Sequence, residues 1–182
     1  MRVIAGTFGG RRLHAPRGRA TRPTSERVRE ALFSMLGPLQ GEVVLDLFAG
    51  TGALAIEALS RGAARAVLVE RDRRALGALE RNLAELGLGP VQAEVRRDEA
   101  LRAVRNACGR AETYDLVFVD PPYGQAGELG RELAVALPPL LAPRARVVVE
   151  SDARRGGPSL LPIAVEAQRR YGDTSVTIHR QR

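Results

Sequence analysis

Two hydrophobic rhythms alternate along this chain. From residue 41 onward, short unbroken apolar runs are each followed by a segment whose apolar residues recur at every third or fourth position. The runs "EVVLDLF", "AVLVE" and "YDLVFVD" predict strands covered on both faces, the pattern of a parallel sheet. The segments "ALAIEALSRG", "RRALGALERNLAELGLG", "DEALRAVRNA" and "GELGRELAVALPPL" predict helices, the second with Leu76, Leu79, Leu83 and Leu86 on one side. "VQAEV" and "ARVVVE" predict a third and a fifth strand, and "IAVEAQRRY" with "TSVTIHR" an antiparallel closing pair. Strands alternating with helices form right-handed βαβ units, which makes this an α/β fold on a mostly parallel sheet.

Before residue 41 the rhythm differs. "RVIAG" and "RRLHAP", with glycines between them, predict a short hairpin. In "TRPTSERVREALFSMLG", Thr24 or Ser25 offers a helix cap and Glu26 a favourable charge in the first turn. Val28, Ala31, Leu32, Met35 and Leu36 then make one apolar face, and Gly37 with Pro38 stops the helix. The expected organisation is an N-terminal extension over residues 1–40 and one larger domain over residues 41–182.

Composition narrows the setting. A length of 182 residues suits one ordinary domain with a sizeable core. A single cysteine, Cys108, leaves no disulfide framework and no cysteine-based metal site, and no metal is expected. No signal-peptide pattern opens the chain, and no run approaches the ~20 apolar residues of a membrane span, so a cytoplasmic protein with no membrane partner is expected. The net charge of +7 sits at the ends: residues 1–40 carry +6, residues 41–150 carry −2 and residues 151–182 carry +3. All 28 basic residues are arginine, so part of the bias is compositional. A near-neutral body with a basic arm still has the electrostatic footprint of a nucleic-acid binder.

Ligands of open α/β sheets sit beyond the carboxyl ends of the strands. The first strand runs into "DLFAGTGALA", where Gly50 and Gly52 flank Thr51 before a helix. Gly50, Gly52 and Ala55 satisfy the dinucleotide pattern G-x-G-x-x-G/A, but Asp46, four residues before Gly50, would repel a pyrophosphate and attract an ammonium group. Glu70, 20 residues after Gly50, closes the next strand and is placed to accept from two ribose hydroxyls. A ligand with a ribose and a cationic amino-acid tail but no phosphate is S-adenosylmethionine. Asp98, after the third strand, is a candidate acceptor for the adenine amine. The alternative is a nicotinamide-dependent oxidoreductase on a similar sheet.

The fourth strand ends in "VFVDPPYG". Asp120 precedes a proline and is pushed to extended backbone, while Pro121 and Pro122 have no N–H. The corner therefore presents acceptors, which suits an aromatic amine. Binding the hydrogens of that amine would free its lone pair and stabilise the charge that develops as a methyl group arrives. Tyr123 offers a face on which a base can stack, and the base must leave its own stack to enter. The corner recognises an amine rather than one base, so adenine N6, cytosine N4 and a protein glutamine remain open as acceptors. A non-enzymatic RNA-binding assembly factor on the same fold is a further alternative.

Taken together, "RVIAGTFGGRRL", "RPTSERVREALFSML", "LDLFAGTGALAIEALSRGA", "VERD" and "VFVDPPY" resemble the class I S-adenosylmethionine-dependent methyltransferases. Within them the chain is similar to the RsmD family of bacterial 16S rRNA guanine-N2 methyltransferases. The resemblance implies a Rossmann-like, seven-stranded sheet with the last strand antiparallel. It also implies methylation of one guanine of 16S rRNA, in an assembled or partly assembled small subunit; a monomer is expected. Residue by residue, it implies a cofactor loop of Asp46, Phe48, Ala49, Gly50, Thr51 and Gly52, with Glu70, Arg71 and Asp98 beside it. Asp120, Pro121, Pro122 and Tyr123 become the catalytic motif. Arg22, Thr24 and Arg27 fall on a lid near cofactor and substrate, and Arg2, Arg11, Arg12, Arg17 and Arg19 would bind phosphates without reading sequence.

Overall fold

Helix α1 (Glu26–Leu36) forms where the periodic apolar face begins. Ser25 supplies the cap, its hydroxyl oxygen accepting from the Val28 amide at 3.3 Å. Val28, Leu32, Phe33 and Leu36 are buried against the sheet. Gly37, at φ 69°, ends the helix with its amide bonded to the Phe33 carbonyl at 3.1 Å. The computed structural model describes residues 1–16, 25–121, 126–154 and 162–182.

From there β1 (Val43–Asp46), α2 (Ala53–Ser60), β2 (Arg65–Glu70), α3 (Arg73–Glu85), β3 (Ala93–Arg97), α4 (Ala100–Gly109) and β4 (Tyr114–Val119) alternate as the pattern predicts. Helix α5 (Ala126–Ala136) and a 3₁₀ turn (Pro138–Leu140) lead to β5 (Leu141–Asp152), followed by β6 (Ala164–Tyr171) and β7 (Thr174–Arg180). The seven strands lie in the order β3-β2-β1-β4-β5-β7-β6. Only β7 runs against the rest, pairing antiparallel with β5 on one side and β6 on the other.

Two boundaries differ from the expectation. Strand β3 starts at Ala93, which pairs with Ala66, while Val91 is 82% exposed. Residues 89–92 are used instead in a turn in which the Gln92 and Ala93 amides bond to the Gly89 carbonyl. The N-terminal hairpin is reduced to a single antiparallel bridge, Arg2 with Arg12. Backbone bonds from Val3 to the Arg11 carbonyl and from Leu13 to the Met1 carbonyl, both 2.9 Å, flank it.

Each face of the sheet carries its own apolar cluster. On one face Val44, Leu68, Phe118 and Val148 pack with α1, α2, α3 and the N-terminal Val3 and Leu13. On the other, Leu45, Val67, Val117 and Val147 pack with α4 and α5. The N-terminal segment is clamped to α2. Glu57, wholly buried in that helix, accepts from the amides of Ile4 at 2.7 Å and Ala5 at 3.1 Å. Arg61 pairs with the same carboxylate at 2.8 Å, and Arg29, also wholly buried, stands 3.9 Å away while donating to the Arg2 carbonyl at 2.6 Å. A buried carboxylate is tolerated because charge and amide donors surround it.

The close approach also requires Gly6. At φ 82°, an added Cβ would lie 1.8 Å from the Ser60 carbonyl oxygen. Gly6→Ala is therefore expected to destabilise the protein by about 2 kcal/mol or more, read as a lower urea midpoint. Hydrogen exchange should accelerate at the Ile4, Ala5 and Thr7 amides more than at those of β2; an unchanged midpoint would contradict this packing.

Candidate functional site

The loop between β1 and α2 is suspended between two strands. The Leu47 amide bonds to the Phe118 carbonyl of β4 at 3.1 Å, and the Ala49 amide to the Val69 carbonyl of β2 at 3.0 Å. Glu70 then acts as a tie. One carboxylate oxygen accepts from the Gly50 amide at 2.8 Å, and the other from the amides of Arg71 and Asp72, both at 2.8 Å. Gly52, at φ 83°, brings the backbone against α3 so closely that a Cβ would lie 2.5 Å from Leu79 Cδ1. Asn82, 1% exposed, joins this loop to the N-terminal segment. Its amide donates to the carbonyls of Thr51 at 2.9 Å and His14 at 3.1 Å, and its oxygen accepts from the His14 amide at 2.7 Å.

Asp46 lies beneath the loop, 1% exposed. Burial pushes its carboxyl up to about 7 from an ordinary 3.8; the amides of Phe48 and Ala55 oppose this, and nearby Glu70 adds to it. A carboxyl held at such cost at the start of a helix fits a ligand that brings its own positive charge. The ammonium of S-adenosylmethionine is a group of that kind.

The strand register sets the rest of the site. Asp46 pairs with Leu68 on one side and Phe118 on the other, so Glu70 and Asp120 each stand two residues further along, on the same face. Val119 pairs with Val149, and Asp120 and Glu150 each follow by one residue. Glu70, Asp120 and Glu150 thus stand level on the face that carries α1 and α2, with Asp46 on the same face two residues nearer the strand starts. Asp120 and Glu150 line a small recess with Leu32, Leu54, Phe118, Val148 and Val176.

The structure brings Asp46, Phe48, Ala49, Gly50, Thr51, Gly52 and Glu70 together. Asp98 is at the adjoining strand end, where its carboxylate accepts from Arg102, from the Glu99 amide at 2.7 Å and from Asn106 at 3.5 Å. Arg71 is exposed and bonds to Glu99 at 3.1 Å. Arg2 is paired with Glu26 at 3.1 Å, and Arg11 donates to the Glu85 carbonyl at 2.9 Å, while Arg12 and Arg27 are exposed. Asp120 and Pro121 are half-buried at the end of β4. Pro122 and Tyr123, and with them Arg17, Arg19, Arg22 and Thr24, lie outside the described residues.

Glu57, Asn82 and Glu150 were not anticipated. Glu57 is a lone acid inside "ALAIEALS", and Asn82 falls on the apolar side of its helix, three residues after Leu79. A polar residue on an apolar stripe was the available signal. For Glu150 only the adjacency of β4 and β5 reveals the relation.

Residues 1–180 match the family model described as Conserved hypothetical protein 95. The Ribosomal RNA small subunit methyltransferase D of Escherichia coli (strain K12) is 39% identical over 162 residues, covering 88% of this chain and 79% of that one. The chain belongs to the RsmD family. Among solved structures, yhhF from Escherichia coli is 35% identical with a TM-score of 0.84, over 100% of this chain and 97% of that one. An RNA methyltransferase from Salinibacter ruber, solved in complex with S-adenosyl-L-homocysteine, is 20% identical with a TM-score of 0.66, over 87% of this chain and 93% of that one. That likeness is one of fold alone; with the 35% identical yhhF structure and the strand order, the RsmD-family chain has the class I methyltransferase architecture. Among the described residues no helix is long and apolar enough to cross a membrane.

The raised Asp46 carboxyl has a measurable consequence. The native state holds this proton more tightly than the unfolded chain does. Its contribution to stability is present at low pH and is lost as pH climbs from near 3.8 through about 7. Asp46→Asn removes the titration, so its stability relative to the parent, without ligand, is expected to rise by roughly 1–3 kcal/mol between pH 5 and pH 7 and then level off. Denaturant unfolding across that range checks it; a relative stability that falls with pH would overturn the assignment.

Proposed function

We propose that this chain transfers a methyl group from S-adenosylmethionine to the exocyclic N2 of one guanine in 16S rRNA. The observation that carries the reading is the position of Asp120. It closes the strand beside the glycine loop, on the same face of the sheet as Asp46 and Glu70. The methyl donor and an amine bound at Asp120 would therefore meet over one edge of the sheet.

Asp46 would hold the ammonium of the donor's amino-acid tail, Glu70 its ribose hydroxyls and Asp98 its adenine amine. When bound, S-adenosylmethionine supplies an electrophilic methyl group on a positively charged sulfur. Asp120 accepts a hydrogen from the guanine amine, which orients the nitrogen and turns its lone pair toward the methyl group. As that nitrogen gains positive charge, the same carboxylate stabilises it without reorganising. The proton lost from N2 then passes to the Asp120 carboxylate or to water.

The exposed arginines of residues 1–40, Arg11 and Arg12 among them, would bind RNA phosphates without reading sequence. This assigns residues 1–40 to RNA and residues 41–182 to the donor and the chemistry. The proposed substrate is an assembled or partly assembled small subunit, met in the cytoplasm by a monomer.

Asp120→Ala is expected to lower kcat on unmodified small subunits by about 10²-fold or more. Binding of S-adenosylmethionine, measured by calorimetry, should be nearly unchanged. Tritiated-methyl transfer supplies the rate, and wild-type turnover by the variant would refute the proposed role.

A further inference from the structure

We infer that Glu150 selects guanine, by accepting the N1–H that adjoins the N2 amine bound at Asp120. The inference rests on the methyltransferase reading and deepens it, because Asp120 alone recognises an amine and not a base.

Three observations support it. Strands β4 and β5 are parallel neighbours, registered through Phe118 with Val148 and Val119 with Val149. Asp120 and Glu150 each follow by one residue, so they emerge on the same face, about 5 Å apart at strand spacing. Both line one small recess, whose other walls are the apolar Leu32 of α1, Leu54 of α2, Phe118, Val119, Val148 and Val176. At about 10 Å³ the recess itself is water-sized, so the ring would lie across its mouth, with the two carboxylates facing two donors along one of its edges. Glu150 is also anchored from its far side, since its backbone pairs with Val176 of β7.

Base chemistry decides which ring that is. On guanine, the ring position beside the N2 amine is N1–H, a donor. On adenine, the position beside the N6 amine is N1, an acceptor; on cytosine it is N3 beside the N4 amine, again an acceptor. A second carboxylate next to the one that binds the amine therefore gains a bond with guanine. With adenine or cytosine it meets a lone pair. Rejection by an opposed acceptor discriminates more strongly than a missing contact does. Reading a base on its Watson–Crick edge is available only to an extruded or single-stranded nucleotide.

The test uses small subunits reconstituted with 16S rRNA that carries either guanine or 2-aminopurine at the position shown by mass spectrometry to be methylated. 2-Aminopurine keeps the amine on C2 but has an acceptor at N1. The wild type should prefer guanine by about 10²-fold or more in kcat/KM. Glu150→Gln, whose amide can donate to that acceptor, should shrink the preference by at least about tenfold, with S-adenosylmethionine binding unchanged as evidence of folding. A wild-type preference near unity overturns the inference whatever the variant does. So does Glu150→Gln with the wild-type preference. If the wild type left guanine subunits unmethylated, the methyltransferase reading itself would fall, and the assignment of Glu150 with it.

Discussion

Side chains along a strand alternate between faces, so an acid at the end of a strand reaches a given groove only if its parity is right. Four neighbouring strands satisfy that condition together here. Register pairs from Asp46 with Leu68 to Val119 with Val149 place Glu70, Asp46, Asp120 and Glu150 on one face. Slipping any of these strands by one residue would send its acid to the face of α4 and α5 and bring its apolar residues with it. The apolar clusters on the two faces therefore enforce the alignment of the site: Phe118 packed against Phe33 at 5.9 Å is part of what aims Asp120.

Below the row, the glycine loop is held more tightly than its composition suggests. Amides of the loop reach β4, β2 and the Glu70 carboxylate, and Asn82 fixes the Thr51 carbonyl. The same Asn82 holds the His14 backbone at both its amide and its carbonyl. The N-terminal segment is thus bound to the glycine loop through Asn82 and to α2 through Glu57. A load on the basic arm bears on the loop through buried hydrogen bonds, which resist deformation because breaking one strands a polar group away from water.

Much of this was legible in the sequence because local pattern and tertiary role coincide. The apolar runs that became β1, β2, β4 and β5 are buried on both faces, and the closing pair is antiparallel as expected, although β7 is buried between β5 and β6 and only β6 forms the exposed edge. The glycine loop and the acids at positions 46 and 70 could be aligned because each strand end follows its strand directly. What stayed hidden depended on pairings distant in sequence. Arg2 and Glu26 are 24 residues apart, and nothing near either one marks them as an ion pair. Glu57 and Arg29 count as surface charge in any composition, yet both are fully buried. The hairpin shrank to one bridge because Gly6 and residues 7 to 10 are used for contact with Ser60 and for turns rather than for a ladder.

Charge distribution complements the proposed chemistry from a different direction. In the proposed reading the arginines of residues 1–40 attract RNA phosphates, whereas the acids at the strand ends repel them. A phosphodiester brought near this edge of the sheet is disfavoured over the strand ends. A base carries no charge and, if it bears an amine, offers donors. The field therefore sorts the parts of a nucleotide: its backbone is held outside while its edge is admitted. In the proposed reading the donor's ammonium obeys the same sign rule, since its positive charge would meet the Asp46 carboxyl among the same acids. One array of oxygens would thereby receive both reactants, while its sign keeps the phosphates of the RNA outside.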